Sequence, residues 1–559
     1  MSDEKILNCD LCIPGGGGAG LTAAARAATL HPELKIVVLE KARSVGGGAA
    51  QAGDFRVYGS QWQKERGLDD NLSEDLRTRM DETFWELDRK LVLNAFLGTG
   101  RFFDWCCTLA PDCADRFVPG RYIFDQPDRG PIVPTYAGLP AERKQSGMGP
   151  GGPGPEGPAG GEPGEADAGS DAESGPMPGP GGPGGPGMRT GTYLMKLLKE
   201  TCQKQGVQIL LQTRAVDVEM TGGKISAVLA DGPDGRIRIN CRAVILATGS
   251  WISNPKYLKM ASPVFATLDP GRPVPAGHQN CNYTGDGIPL AEKAGALVDY
   301  DSFCIRAMGP GILASDGGMV FPRGQMAEAM LRSPFMLQID EQGRRYTCEP
   351  SATRFKSEDA AHILIVHGSP QPFVVFDLNN AKATAKMARE QTQLGSAGGM
   401  GGPARVTLTD EQVEADLDAE KFIVKADSIE ELAEKLGIPA QPLRETVELY
   451  NDSCAKGFDA DCFKQPEYLL PLSAPFYGYR TSVNTDGAFG GVQVNADMQA
   501  LARDGGVVEG LWVPGDFSSG RFVNDRGLKR QIINDLAWAF SSGLIAGENA
   551  AAYLTEQFE

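Results

Sequence analysis

The feature that most constrains this chain lies in its first forty residues, where a strand, a glycine turn, a helix, a second strand and an acid follow one another. Asp10-Leu-Cys-Ile-Pro reads as a short buried strand, Gly15, Gly17 and Gly20 give G-x-G-x-x-G, and the Ala-rich stretch from Leu21 to Leu30 reads as a helix. Glycines at these places permit a tight turn and bring the backbone close to a pyrophosphate, whose charge is favoured by the unpaired N–H groups of the following helix. Lys35-Ile-Val-Val-Leu then reads as a second buried strand ending at Glu40, twenty residues past Gly20, where a carboxylate can accept bonds from ribose hydroxyls. A glycine pattern alone fits a flexible turn equally well. Strand, helix and placed acid together imply an α/β, Rossmann-like nucleotide-binding domain.

At 559 residues the chain exceeds the roughly 250 to 300 at which a single core stops growing, so two or more domains are expected. No stretch approaches the roughly 18 to 20 uninterrupted apolar residues of a membrane helix, so no membrane insertion is expected. The acidic start, Met1-Ser2-Asp3-Glu4-Lys5, lacks the basic region and cleavage site of an export signal, which predicts a cytoplasmic protein. A formal charge of -18 disfavours nucleic acid and anionic membrane as partners, since both reward clustered Lys and Arg.

The twelve cysteines are scattered without repeated ligand spacing, so no metal site is expected. Cys9 and Cys12 form the only C-x-x-C, on the predicted first strand, where positions three apart face opposite ways; they read as buried thiols, as do Cys106, Cys107 and Cys113. From Ser146 to Gly187 the chain is almost wholly Gly, Pro, Ala, Ser and acid, with no Lys or Arg, and reads as a disordered excursion that interrupts a domain. Helical periodicity resumes at Thr190-Gly-Thr-Tyr-Leu-Met, followed by an apolar strand at Gln208-Ile-Leu-Leu.

The glycine fingerprint does not separate FAD from NAD, because both present an adenosine diphosphate to the same turn. Other segments do. Glu40-Lys-Ala-Arg-Ser-Val-Gly-Gly-Gly, Arg242-Ala-Val-Ile-Leu-Ala-Thr-Gly-Ser, Tyr283-Thr-Gly-Asp-Gly-Ile and Gly510-Leu-Trp-Val-Pro-Gly-Asp together resemble the FAD-binding domain of the fumarate reductase and succinate dehydrogenase flavoprotein family. The nearest resemblance is to its soluble branch, which includes 3-ketosteroid dehydrogenases and urocanate reductases. It continues through Ser428-Ile-Glu-Glu-Leu-Ala-Glu-Lys-Leu-Gly, Leu443-Arg-Glu-Thr-Val-Glu-Leu-Tyr-Asn and Pro475-Phe-Tyr. Ser428 and Glu431 read as a capping box, Leu432 and Leu436 as an apolar stripe, and Gly437 as the helix stop.

The resemblance implies a Rossmann-like FAD-binding domain with an inserted α+β capping domain. It places the FAD domain at 1–309, with the 146–187 insert, and at 477–559, and the cap at 310–476. By the same carry-over Gly15, Gly17, Gly18, Ala19 and Gly20 line the diphosphate, Glu40 and Lys41 meet the ribose, and Gly47 and Gly48 approach the flavin. Val216 passes the adenine; Ala247, Thr248, Gly249 and Asp286 close the pocket; Gly515 and Asp516 reach the ribityl chain. Gln531 and Ile532 lie where a final helix is expected to begin, near Lys529 to Ile532, and to run through Ala546 with its N-terminus facing the flavin.

The substrate residues depart from the fumarate reductase pattern, in which histidines hold a dicarboxylate and an arginine follows a strand ending in Phe-Asp. Here that strand is Pro372-Phe-Val-Val-Phe-Asp and the arginine's place is taken by Ala381; the chain has four histidines, none at the expected positions. Fumarate is therefore a poor substrate candidate. Arg526 aligns with a carboxylate-binding arginine of the family, with Arg521, Arg354 and Tyr346 as further candidates and Glu349 as an orienting partner for Arg354. The implied chemistry is hydride transfer between flavin N5 and a carbon beta to a carbonyl, as an ene reductase acting on an enone or aryl acrylate. The alternatives are a desaturating dehydrogenase and a non-catalytic flavoprotein that docks a partner. No second G-x-G-x-x-G in a strand and helix context is evident, so electrons are expected from a separate carrier.

Overall fold

The computed structural model describes residues 5–52, 55–68, 70–83, 85–121, 132–136, 189–261, 283–313, 319–320, 324–331, 333–349, 372–393, 406–519, 522–525, 528–531 and 535–556. The 146–187 insert lies outside them. Short runs of Val, Ile and Leu buried on both faces build a six-stranded sheet in the order Gln499–Leu501, Val507–Trp512, Ala243–Ile245, Leu11–Pro14, Ile36–Leu39, Gln208–Leu210. All its pairings are parallel except that of the edge strand Gln499–Leu501. Strands from the beginning, middle and end of the chain thus lie side by side. Lys5–Asn8 belongs to a second sheet, with Gly235–Asn240, Lys224–Gly232 and Arg214–Thr221.

The Gly18–Leu30 helix follows the Leu11–Pro14 strand and packs against the last helix, Asp535–Glu556. Small residues set that contact: a Cβ on Gly543 would lie 2.4 Å from the Ala19 carbonyl oxygen, and one on Gly547 2.6 Å from that of Ala23. On the last helix Phe540 also stacks on Phe102 of the Arg89–Leu109 helix, with ring centroids 4.4 Å apart.

The cap is built on a mixed-length antiparallel sheet in the order Met319–Val320, Cys304–Leu313, Phe476–Phe489, Phe373–Asp377, Leu337–Ile339, with Val424–Ala426 also pairing Phe476–Phe489. Alternation along Phe373–Asp377 sends Val374 and Phe376 into one core with Tyr477 and Tyr479, and Phe373 and Val375 into another with Leu432, Leu443 and Val447. The two long strands, Cys304–Leu313 and Phe476–Phe489, pair from Cys304 opposite Phe489 and join the cap to the nucleotide-binding part.

The capping helix is as the sequence implies, Ile429–Leu436, with Ser428 accepting from the Glu431 N–H and Gly437 at φ 73° ending it. The Glu431 carboxylate reaches the Asp427 N–H instead of that of Ser428. The start of the final helix needs correction. Leu528–Gln531 is a strand paired with Phe522–Asp525, and the described helix spans Asp535–Glu556, so Lys529 and Gln531 extend a ribbon and the helix runs ten residues past Ala546.

Candidate active site

The glycine turn is shaped by contacts that leave no room for side chains on its inner side and ample room on its outer side. Gly15 leaves the strand at φ 112°, donates to the Leu39 carbonyl at 2.7 Å, and would place a Cβ 2.1 Å from the Ala247 carbonyl oxygen. At Gly20 a Cβ would lie 1.9 Å from the Gly15 carbonyl oxygen, so helix and strand approach as only glycine permits. Gly17 is different: a Cβ there would meet nothing within 4 Å. The helix begins with the Leu21 N–H on the Gly17 carbonyl, and the first N–H groups of a helix have no partner within it. Open space therefore faces the helix N-terminus, where an anion is favoured.

Glu40 fixes the next side of the turn, its carboxylate accepting from the Gly16 N–H at 2.9 Å and the Ala42 N–H at 2.8 Å. Gly46 donates to the Gly16 carbonyl at 2.9 Å, which draws the short Gly47–Gln51 helix to the turn, and the Gly48 N–H donates to the Tyr283 hydroxyl at 2.8 Å. The Tyr283 ring also lies 3.3 Å from a Cβ built on Gly249. Ala247 is buried, and Thr248 Oγ1 is buried with no hydrogen-bond partner among the described residues. From the far end of the chain, Gly515 at φ 83° is pinned to the last helix: its N–H donates to Ser542 Oγ at 3.0 Å and its carbonyl accepts from Trp538 Nε1 at 2.8 Å. Asp516, next in the chain, is half-buried.

Lys41 and Asp286 meet each other. Lys41 Nζ lies 2.9 Å from Asp286 Oδ2, and Arg214 holds the other carboxylate oxygen at 2.6 Å. Burial pushes the Asp286 carboxyl up, but the hydrogen bonds from Arg214 and Lys41 outweigh it and hold the group below the ordinary carboxylate range. Val216 is the extra residue of a β-bulge, since Ala215 pairs with Ala230 and Asp217 with Leu229, the next residue along. Its strand follows residues tied to the same corner, as the Thr213 N–H donates to the Glu40 carbonyl at 2.9 Å.

The residues fit a dinucleotide. The open face of Gly17 matches a diphosphate, and the orphaned Thr248 hydroxyl is a buried polar group that a polar ligand would satisfy. A family model described as FAD binding domain matches residues 10–522. The chain belongs to this FAD-binding family. The flavoprotein is an FAD-dependent oxidoreductase. It is 26% identical over 564 aligned residues to vinyl phenol reductase of Lactiplantibacillus plantarum, covering 100% of this chain and 99% of that one. It is 27% identical to NADH:acrylate oxidoreductase of Vibrio harveyi over 65% of this chain and 32% of that protein, so it spans about a third of that relative. Among solved structures it resembles the open conformation of a flavocytochrome c3 fumarate reductase (TM-score 0.65, 18% identity, 98% of this chain and 79% of that one). It also resembles 3-ketosteroid delta1-dehydrogenase from Sterolibacterium denitrificans (TM-score 0.63, 18% identity, 98% and 99%).

The catalytic candidates do not gather in the same way. Arg526, Arg521 and Arg354 lie outside the described residues, as does Ile532, and nothing is described of the Gln531 side chain. The Tyr346 hydroxyl donates to Gln338 Oε1 at 2.7 Å, and burial raises its pKa well above the ordinary tyrosine value. Among the described residues Glu349 is partnered by Arg345, through bonds of 3.0 and 2.8 Å, and by Lys464 at 3.2 Å. Arg345 also pairs with Asp459 at 2.9 Å; all four side chains are at most 1% exposed, and both cations lie over the Tyr450 ring. This quartet holds the cap loop near Asp459 in place. Burial raises the Glu349 carboxyl, but Lys464 and Arg345 outweigh it and keep the group ionised below its ordinary range.

Tyr283, Arg214, Trp538 and Ser542 complete the site and were not singled out by sequence reasoning as site residues. Their contacts span 235 residues from Gly48 to Tyr283, 72 from Arg214 to Asp286 and 23 from Gly515 to Trp538, and no local spacing signals such pairings. Among the described residues no helix is long and apolar enough to cross a membrane.

Proposed function

We propose that the flavoprotein reduces a carbon–carbon double bond conjugated to a carbonyl, a carboxylate or a phenol ring, and that fumarate is not its substrate. The observation that carries this reading is Ala381. It is fully buried in the cap core with Phe376, Tyr477 and Tyr479, at the place where the fumarate reductase pattern has an arginine. The full-length similarity to a protein named vinyl phenol reductase supports the same class.

Once bound and reduced by an electron donor, FAD would supply a hydride equivalent for the substrate double bond, with a side chain supplying the partnering proton. Within this proposal Gly15, Gly17, Gly18, Ala19 and Gly20 cradle the diphosphate, Glu40, Lys41 and Val216 hold the adenosine end, and Gly47, Gly48, Ala247, Thr248, Gly249, Asp286, Gly515 and Asp516 line the rest. Arg526 binds and polarises the substrate's electron-withdrawing group, with Arg521 and Arg354 as the remaining candidates to anchor it or supply the proton. Tyr346 ranks behind them because its hydroxyl is already given to Gln338. The 310–476 segment acts as the cap over the site. Electrons arrive from a separate carrier in the cytoplasm, a reading supported by the much greater length of the relative named for NADH.

The test is anaerobic stopped-flow absorbance of the dithionite-reduced protein mixed with vinyl phenol, aryl acrylates, enones and fumarate. Rapid flavin reoxidation by one of the first three classes, with slow reoxidation by fumarate, is expected. Fumarate as the fastest oxidant, or no reoxidation by any, would overturn the proposal. Arg526→Ala should slow reoxidation by the preferred substrate; unchanged turnover would remove Arg526 from its role.

A further inference from the structure

Outside the flavin site the chain carries a pair of thiols that the oxidoreductase reaction does not use. Cys107 is in the last turn of the Arg89–Leu109 helix and Cys113 lies in the turn that follows, with their sulfurs 3.8 Å apart. Both were expected to be plain buried thiols. Cys113 is, at 0% exposure, but Cys107 is half-buried and reachable from solvent. The neighbouring Cys106 is fully buried.

We infer that Cys107 and Cys113 form a thiol–disulfide exchange site, opened at Cys107 by a small-molecule disulfide and closed by Cys113. Closing needs the sulfurs to move from 3.8 Å to a bonded separation of about 2 Å, a shift within reach of a turn beyond a helix end. In the first step Cys107 passes its proton to the Cys113 sulfur and attacks the small disulfide; one S–S bond breaks as another forms, and one small thiol leaves as its thiolate, which takes a proton from water. In the second step Cys113 attacks the Cys107 sulfur and expels the second small thiol. Counted from the dithiol, the protein loses two electrons and two protons, and the small disulfide gains both.

The surroundings divide the pair: the hydrogen bond to Cys113 and burial push the Cys107 thiol well up, so the charge favours the Cys113 sulfur. The hydrogen bond from Cys107 holds the Cys113 thiol below its ordinary range against the effect of burial, and the Tyr193 hydroxyl adds a second bond to it. Cys113, 3.8 Å away, is therefore placed to take the Cys107 proton as Cys107 attacks a disulfide.

The pair is also linked to the flavin cradle. Tyr193 lies in the first turn of the Thr190–Lys204 helix, where the Gly191 N–H donates to the Ala52 carbonyl at 2.9 Å and Thr192 Oγ1 to that of Ala50 at 2.7 Å, beside the Gly47–Gln51 segment.

The test is to incubate the full-length, FAD-loaded protein with oxidised glutathione and follow its mass. Expected is the loss of two hydrogens with no glutathione retained, and after cleavage ahead of Asp112 a cross-link between the peptides carrying Cys107 and Cys113. Cys113→Ser should accumulate glutathione on Cys107, and Cys107→Ser should show neither product. Glutathione retained on wild-type Cys107, a cross-link through Cys106, or no loss of thiols would overturn the inference. The wild-type peptide map decides even if a variant does not fold.

Discussion

Gly20 and Gly15 touch so closely that a Cβ on Gly20 would sit 1.9 Å from the Gly15 carbonyl oxygen, whereas one on Gly17 would meet nothing. The same substitution should therefore separate folding from cofactor binding. Gly20→Ala must push the first helix off its strand and is expected to cost several kcal/mol, on the order of the 4 kcal/mol or more that marks exceptional substitutions. Gly17→Ala should leave the apoprotein within about 1 kcal/mol of wild type, the scale of an N-cap exchange, yet weaken FAD binding about tenfold or more by filling the diphosphate space. Thermal unfolding of both apoproteins and fluorescence titration with FAD measure the two effects. Equal FAD affinity in Gly17→Ala would mean that the diphosphate lies elsewhere.

Asp286 should make stability depend on acid pH. Burial opposes its charge, but Arg214 and Lys41 hold its carboxyl below the ordinary value, so its contribution is full above about pH 4 and fades as pH falls through the folded value. Asp286→Asn is expected to unfold at lower temperature than wild type at neutral pH, with the gap closing in acid. Because Arg214 is more than half exposed, added salt should narrow the gap as well. A gap unchanged by pH, measured at one scan rate, would show that the ion pairs do not stabilise the fold.

How much of this could be read from the chain depended on whether the determining contact was local. The Gly15 turn and the Ser428 to Gly437 helix are specified by residues within a few turns of one another, and each forms where the sequence implies, whereas the Glu40 carboxylate bonds the Gly16 N–H, 24 residues away, and the Ala42 N–H. The final helix did not start where expected, because Leu528–Gln531 pairs with Phe522–Asp525 and strand pairing there overrides helix propensity. Gly527, just after Asp525 and Arg526, was the available hairpin signal. The Val216 bulge exists only relative to its partners Ala230 and Leu229, so nothing in the strand itself announces it.

Lys464 should be among the costliest cap residues to remove. Lys464→Met keeps the apolar stem but leaves Glu349, fully buried, with Arg345 alone among the described ionic partners. Removing one partner of a buried ion pair typically costs about 3 to 5 kcal/mol. Denaturant unfolding should show a lower midpoint, with the loss partly restored by Glu349→Gln in the same chain. An additive double variant would mean that the two residues are not coupled.

Trp538 ties the last helix to the Gly515 turn through its buried indole N–H, which donates to the Gly515 carbonyl at 2.8 Å and lies 3.3 Å from Ser518 Oγ. Trp538→Phe keeps most of the apolar contact and removes that donor, for an expected loss of about 1 to 2 kcal/mol in stability. It should also raise the FAD dissociation constant several-fold, since Gly515 precedes Asp516 at the proposed ribityl contact. Unchanged FAD affinity alongside lowered stability would confine Trp538 to a structural role.

Ala381 distinguishes a missing catalytic group from a rebuilt cap. If the site had merely lost an arginine, Ala381→Arg would bring fumarate turnover back. The side chain instead points into a core that includes Phe376, Tyr477 and Tyr479, with no exposed surface, so a guanidinium there must be buried without a partner or force the helix Leu378–Gln393 away from its sheet. Ala381→Arg is therefore expected to lower the unfolding midpoint strongly and to leave fumarate reoxidation of the reduced flavin as slow as in wild type. A stable Ala381→Arg protein that reoxidises rapidly with fumarate would show that the cap can still present this position to substrate, and would return fumarate to the field of substrates.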